Sequence, residues 1–236
     1  MKIMVINPNT STSMTEHLRV ELEKIKRADT QLTVTCPAAG PITIESAYDE
    51  ALAVPPTLEL VRRANQEGYD GVILACFSDP GIHAAKEISD IPVVGIQEAS
   101  LHAAAMLGWK FTILTPLPQR IPHKHEEVRR YRLEDCLASV RALGMSVAET
   151  DSDPARTKKR ILEVAARAAE EDGAEVMILG CAGMAGYAAE VERELGVVVL
   201  DPSAVALKLC EALVDAGLHH SKRAFYARPP AKQIRK

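Results

Sequence analysis

The sequence predicts an α/β fold of two pseudo-symmetric lobes, each a four-stranded parallel sheet flanked by helices, with a cleft between them. Three observations carry that prediction. Apolar runs of strand length alternate with helix-period segments along the 236 residues. The strand runs are apolar throughout rather than alternating, as parallel strands covered on both faces are. The second half of the chain also repeats the first at a shift of 105 residues.

Residues 2–6 read as the first strand, followed by the loop Asn7-Pro8-Asn9-Thr10. Ser13 with Glu16 three residues later resembles a capping box opening a helix to about Arg27. Residues 31–35 make the second strand, and a Pro-rich loop runs from Cys36 to Tyr48. A helix covers roughly 50–67, its start obscured by Pro55-Pro56. Residues 71–75 are a buried-type strand delivering Cys76; the fourth strand is Pro92–Ile96, and a helix follows from about Glu98 to Leu107. The pattern restarts with a strand at Phe111–Thr115, a long helical stretch over about 122–142 and a strand at Ser146–Glu149. Asp153-Pro154 is an N-cap with proline at the first helical position, opening a helix to Asp172. Val176–Gly180 is a strand ending at Cys181, Val197–Leu200 is the last strand, and a final helix covers Pro202 to about Ala216.

Within the repeat, Ile73 meets Ile178, Leu74 meets Leu179, Cys76 meets Cys181, Gly81 meets Gly186 and Val93-Val94 meets Val198-Val199. At a shift of 108, Lys2…Asn7-Pro8 meets Lys110…Thr115-Pro116. Helix amphipathicity alone does not put a cysteine at the same strand end in both halves, so a four-unit lobe has been duplicated. Lobe one is assigned residues 1–100 plus about 208–236, and lobe two residues 101–207. In open parallel sheets, ligands sit beyond the carboxyl ends of the strands. Two sulfurs facing one cleft from opposite sides suit racemisation, in which one group removes a proton and another returns one to the opposite face. One thiolate and one thiol are then needed, and a free thiol near 8.5 needs help to ionise. Helix N-termini can supply that help, and Gly180, Gly183 and Gly186 let backbone amides approach a developing oxyanion.

Composition removes other classes. The five cysteines are odd in number and widely spaced, which argues against a disulfide framework and for a reducing cytoplasm. No run is long enough to span a membrane, and no secretory signal opens the chain. A net charge of −4 gives no general pull toward nucleic acid. The segment 219–236 holds six lysines and arginines and no acid, so the rest sums to −10; it reads as a mobile or partner-packed basic tail. His123-Lys124-His125-Glu126 reads as a solvated helix start, because no second spaced ligand cluster accompanies it. His83 reads as a surface helix position, and Asp79 as a cap for the helix starting near Pro80 or as a substrate contact. Glu45 and Tyr48 lie in the long loop, which is either a lid or an ordinary surface loop. No dinucleotide or phosphate-loop motif and no serine elbow is present.

The segments Val5-Ile6-Asn7-Pro8-Asn9-Thr10-Ser11, Ile44-Glu45-Ser46-Ala47-Tyr48-Asp49-Glu50, Ala75-Cys76-Phe77-Ser78-Asp79-Pro80-Gly81 and Leu179-Gly180-Cys181-Ala182-Gly183-Met184 resemble the aspartate/glutamate/hydantoin racemase superfamily. The likeness is greater to its hydantoin racemase branch and covers about residues 1–216. It implies two Rossmann-like lobes, no metal, no organic cofactor and a homo-oligomer. It further implies that Cys76 and Cys181 are the acid/base pair and that Asn7, Ser78 and Thr115 line the cleft. Backbone groups of Phe77, Ala182 and Gly183 would bind the substrate's carbonyls, and Ile44 would contact the 5-substituent. The implied small-molecule substrate is a 5-monosubstituted hydantoin, with allantoin as the alternative. Further alternatives are an amino-acid racemase, a decarboxylase or an isomerase of the same superfamily, and a two-lobe binding protein without catalysis.

Overall fold

The computed structural model describes residues 1–230. Two four-stranded, wholly parallel sheets share one topology, β2-β1-β3-β4 and β6-β5-β7-β8. The first contains β1 (Lys2–Ile6), β2 (Gln31–Thr35), β3 (Gly71–Leu74) and β4 (Val93–Gly95). Its helices are α1 (Thr12–Ile25), α2 (Ala47–Gln66) and α3 (Ile82–Ile88). Helix α4 (Ile96–Leu107) leads into β5 (Phe111–Thr115), α5 (Ile121–Arg130), β6 (Leu137–Ala142), α6 (Val147–Ser152) and α7 (Pro154–Asp172). The chain continues through β7 (Val176–Leu179), α8 (Ala188–Leu195), β8 (Val198–Leu200) and α9 (Pro202–Asp215). Among the described residues, no helix is long and apolar enough to cross a membrane.

The central strands β1, β3, β5 and β7 are buried almost throughout, which explains their unbroken apolar runs. One continuous apolar cluster links the two sheets: Ile3, Val5 and Ile73 join Phe111, Ile113 and Ile178 by way of Leu101 and Ala104 of α4 and Leu207 and Cys210 of α9. The outer face of sheet one is closed by Val61 and Ala64 of α2 and by Ile82 and Ala85 of α3. The outer face of sheet two is closed by Ile161, Val164, Ala165 and Ala168 of α7. The repeated glycines serve the same turn in each lobe. Gly81 and Gly186 have φ of +75° and +88°, and a side chain at either would strike Val54 or Glu21.

The second lobe departs from the sequence expectation at two neighbouring places. The stretch 122–142 is not one helix: α5 ends at Arg130, and Leu137–Ala142 is the edge strand β6. Only Val140 of β6 is fully buried, so the strand lacks an apolar signature. It is held by pairing with β5, by Ser139 bonding to Thr112, and by Arg141 clasping Asp172 and Glu171. Residues 146–149, expected to be a strand, open helix α6: Ser146 accepts from Glu149 N–H, and the Glu149 carboxylate accepts from Ser146 N–H. The same box closes on Ser46 and Asp49 at the start of α2. Helix α1 is capped by Ser11, whose hydroxyl accepts from Met14 N–H, rather than by Ser13. Ser13 instead donates to Asp151 across the lobes.

The described part of the basic tail packs on the chain itself. His220 Nε2 accepts the Val93 N–H at 2.8 Å, Lys222 donates to the Glu87 carbonyl at 3.1 Å, and Tyr226 lies against His83. Lys232, Arg235 and Lys236 lie outside the described residues.

Candidate active site

Each cysteine stands just beyond the carboxyl end of a central strand, Cys76 after β3 and Cys181 after β7. The ladders β1–β3 and β5–β7 bring Asn7 and Thr115, the residues following β1 and ending β5, to the same edges. One cavity between the lobes is lined by Asn7, Ile44, Cys76, Phe77, Ser78, Thr115, Cys181 and Ala182. The structure thus gathers all but one of the residues that the resemblance assigned to the site. The exception, Gly183, does not line the cavity; its N–H points at Cys181 Sγ, 3.4 Å away. Its amide is therefore directed at the sulfur rather than toward a bound carbonyl. The Phe77 N–H has no partner among the described residues, whereas the Phe77 carbonyl accepts from Gln97 and Lys124.

Burial dominates the acidity of both thiols. It pushes Cys76 up to about 12, opposed by the Ser78 hydroxyl 3.5 Å away and by the positive charge of Lys124. Cys181, only 8% exposed, is also raised by burial, opposed by the Gly183 N–H and by the positive charge of Lys124. The negative charge of each neighbouring group works the other way: Cys181 and Glu50 on Cys76, and Glu45 on Cys181.

Sequence reasoning missed the polar wall opposite the sheets. Lys124 is not on a solvated helix start. It is 4% exposed, lines the cavity, pairs with Glu127 at 2.8 Å and donates to the Phe77 carbonyl. Arg120 pairs with Glu50, and His123 Nε2 stands 3.1 Å from Glu127 and 3.6 Å from Glu50. Glu50, His123 and Glu127 hold three possible metal-ligand atoms within 4.8 Å of one another. Both carboxylates are already matched by Arg120 and Lys124, so the cluster is an ion-pair network in which a dication would meet two cations. The signal that could have found Lys124 is its spacing: Lys124 and Glu127 share one face of α5, and Arg120 precedes Lys124 by one turn on the same side.

The loop before α2 contributes Ile44 and Glu45, and Glu45 accepts the Val147 N–H of α6 at 2.8 Å, tying the lobes across the cavity mouth. Tyr48 is exposed and outside the lining. Asp79 caps α4, not the helix that follows it: its two carboxylate oxygens accept the Gln97 and Glu98 N–H groups at 3.0 and 2.8 Å. His83 is exposed on α3, away from the cysteines' cavity.

The profile of the Asp/Glu/Hydantoin racemase family matches residues 3–210. A hydantoin racemase of Pseudomonas sp. (strain NS671) is 40% identical over 233 residues, covering 99% of this chain and 94% of the relative. Two solved structures align along the whole chain. The allantoin racemase from Klebsiella pneumoniae has a TM-score of 0.97 and 36% identity, with 96% of that chain covered. The allantoin racemase from Pseudomonas fluorescens has a TM-score of 0.95 and 33% identity, with all of that chain covered.

Proposed function

The chain belongs to the Asp/Glu/hydantoin racemase family and is an isomerase of that family, and from that premise we propose that it racemises 5-monosubstituted hydantoins with Cys76 and Cys181 as a two-base pair. One observation supports this above the others: two cysteines at equivalent strand ends of the two lobes line a single cavity.

The chemistry balances without an outside reactant. A thiolate takes the hydrogen from C5, and the C–H electron pair moves onto the adjacent carbonyl oxygen as an enolate. The opposite thiol then gives its proton to the other face of C5, and the electron pair returns to carbon. The two sulfurs exchange charge, and the mirror-image substrate restores them. Cys181, with the Gly183 N–H aimed at its sulfur, is the better resting thiolate; Cys76, raised to about 12, is the better resting acid. In this reading the Phe77 N–H, without a partner among the described residues, and the first N–H of the short 3₁₀ turn Ala182–Met184 bind the substrate's carbonyl oxygens.

Both thiols lie above their usual value, so the thiolate is scarce near neutrality. kcat/KM is therefore expected to rise with pH from 7 to 9, falling only when the second thiol also ionises toward 12. A profile that falls over 7 to 9 would remove the thiolate from the rate.

Met14, Ile44, Phe77, Leu117 and Val147 give the cavity an apolar side suited to a hydrocarbon 5-substituent. Allantoin, which carries a polar ureido group at that carbon, is the second reading; the Glu45, Glu50 and Arg120 side chains and the likeness to two allantoin racemase structures favour it. One enantiomer of a 5-alkylhydantoin, and separately of allantoin, incubated in heavy water should lose optical rotation while gaining deuterium at C5. Retained rotation with both compounds would refute the hydantoin and allantoin readings together. Release of carbon dioxide from an activated malonate would instead indicate a decarboxylase, and tight binding without turnover a binding protein.

A reducing cytoplasm and a homo-oligomer belong to the same proposal. All five cysteines are free of disulfides. Met106, Leu107 and Trp109 are exposed together at the end of α4, as at a subunit contact.

A further inference from the structure

Lys124 is costly where it stands. An ammonium removed from water must be repaid by acceptors, and an ion pair with no other role can often be replaced by apolar side chains without loss. Lys124 has the Phe77 carbonyl, the Glu127 carboxylate at 2.8 Å and the Phe77 ring with its centroid at 5.1 Å. Glu127, 3% exposed, is anchored in turn by Gln97 Nε2 at 2.7 Å and by His123 at 3.1 Å. An ammonium has three N–H groups, and among the described residues Lys124 has one hydrogen-bond acceptor, the Phe77 carbonyl, and one ion-pair partner, Glu127. Even with one N–H turned to each partner, a donor is left on a side chain that lines the cavity and whose charge acts on both cysteine sulfurs.

We propose that Lys124 is a further catalytic residue: its remaining N–H meets a carbonyl oxygen of the substrate, and its charge stabilises the anion formed when C5 loses its proton. This rests on the proton-transfer reading above. A neutral substrate becoming anionic in a buried cavity is where a fixed cation lowers a barrier most, because it needs no reorientation at the moment of reaction. Phe77 directly follows Cys76, so the bond from Lys124 to its carbonyl also fixes the ammonium to the loop carrying one of the two sulfurs.

The charges that matter are few. Cys76 faces Lys124 of α5, Glu50 of α2 and Cys181. Cys181 faces Lys124 and Glu45, with the Gly183 N–H as donor. Lys124 faces Glu127, beside which stand His123, Glu50 and Arg120.

The test compares Lys124→Met and Glu127→Gln in the full chain. Two quantities are read: kcat and KM for a 5-alkylhydantoin, and the pH midpoint of thiolate ultraviolet absorbance without substrate. Lys124→Met should lower kcat about 100-fold or more with KM within a few-fold, and should raise the thiolate midpoint by about one pH unit. Glu127→Gln removes the counter-charge and should move the midpoint down. If Lys124→Met unfolds because it strands Glu127, the double variant Lys124→Met/Glu127→Gln gives the same comparison against Glu127→Gln alone. A kcat within about threefold of wild type, a midpoint that Lys124→Met leaves in place, or a midpoint that both variants move the same way would assign Lys124 to packing and overturn the proposal. Wild-type protein that does not racemise hydantoins refutes the functional reading, and the midpoint shifts are measured independently of it.

Discussion

Cys181→Ser and Cys76→Ser are each expected to lower racemisation of a 5-alkylhydantoin by about 10³-fold or more. A hydroxyl is far less acidic than a thiol, so serine supplies neither the base nor a ready acid at neutral pH. The loss should fall on kcat, because neither change removes a wall of the cavity: serine keeps the shape of cysteine to within one atom. In Cys181→Ser the Gly183 N–H retains an oxygen to bond, so folding should be little affected. Progress is followed by loss of rotation, with circular dichroism as the check on the fold. A variant that racemises within tenfold of wild type would exclude its cysteine from proton transfer.

The second large effect is expected at Gly180, which carries no chemistry. Its N–H donates to the Leu114 carbonyl at 2.8 Å, so β7 runs close beside β5 just before Cys181. A β-carbon there would lie 2.7 Å from that carbonyl oxygen and 2.9 Å from Ile113 Cγ2. The nearer atom is backbone in a central strand and cannot swing aside, so the strand end itself must shift. Gly180→Ala should cost about 1–3 kcal/mol, read as a lower Tm. Displacing the adjacent sulfur by a fraction of an ångström should lower kcat about 100-fold. Wild-type kcat with an unchanged melting curve would mean that the strand end has slack that the close approach denies.

Much of the fold was legible because its strands announce themselves. β1, β2 and β5 stand where the sequence reading put them, and Asp153-Pro154 opens α7 as expected. The failures share a cause. β6 is an edge strand with one fully buried residue, so its stability comes from pairing and from Arg141 with Asp172 rather than from an apolar pattern. The capping box Ser146…Glu149 is visible in the sequence, but the short apolar stretch Val147-Ala148 within it reads as a strand. Likewise α2 begins eight residues before Pro55, because the Ser46 box nucleates it and the prolines cost it two backbone hydrogen bonds without ending it.

At the site, residues on strand ends were readable from the repeat, since equivalent positions converge on one cleft. Lys124, Arg120 and Glu50 were not. The spacing of Arg120, Lys124 and Glu127 marks one shared face, but these elements pack from the side, and the tertiary arrangement is what shows that this face turns inward onto Phe77. Gly183 shows the converse: the motif placed it at the site, but its N–H is directed at Cys181.

The most direct test of a two-sided cysteine mechanism is hydrogen exchange by each serine variant with each pure enantiomer in heavy water. Cys76→Ser keeps the base on one face, and Cys181→Ser keeps it on the other. One variant should therefore wash out C5 hydrogen from one enantiomer and the other variant from its mirror image, each without inversion. Exchange of both enantiomers by a single variant, or continued inversion by Cys76→Ser/Cys181→Ser, would contradict it.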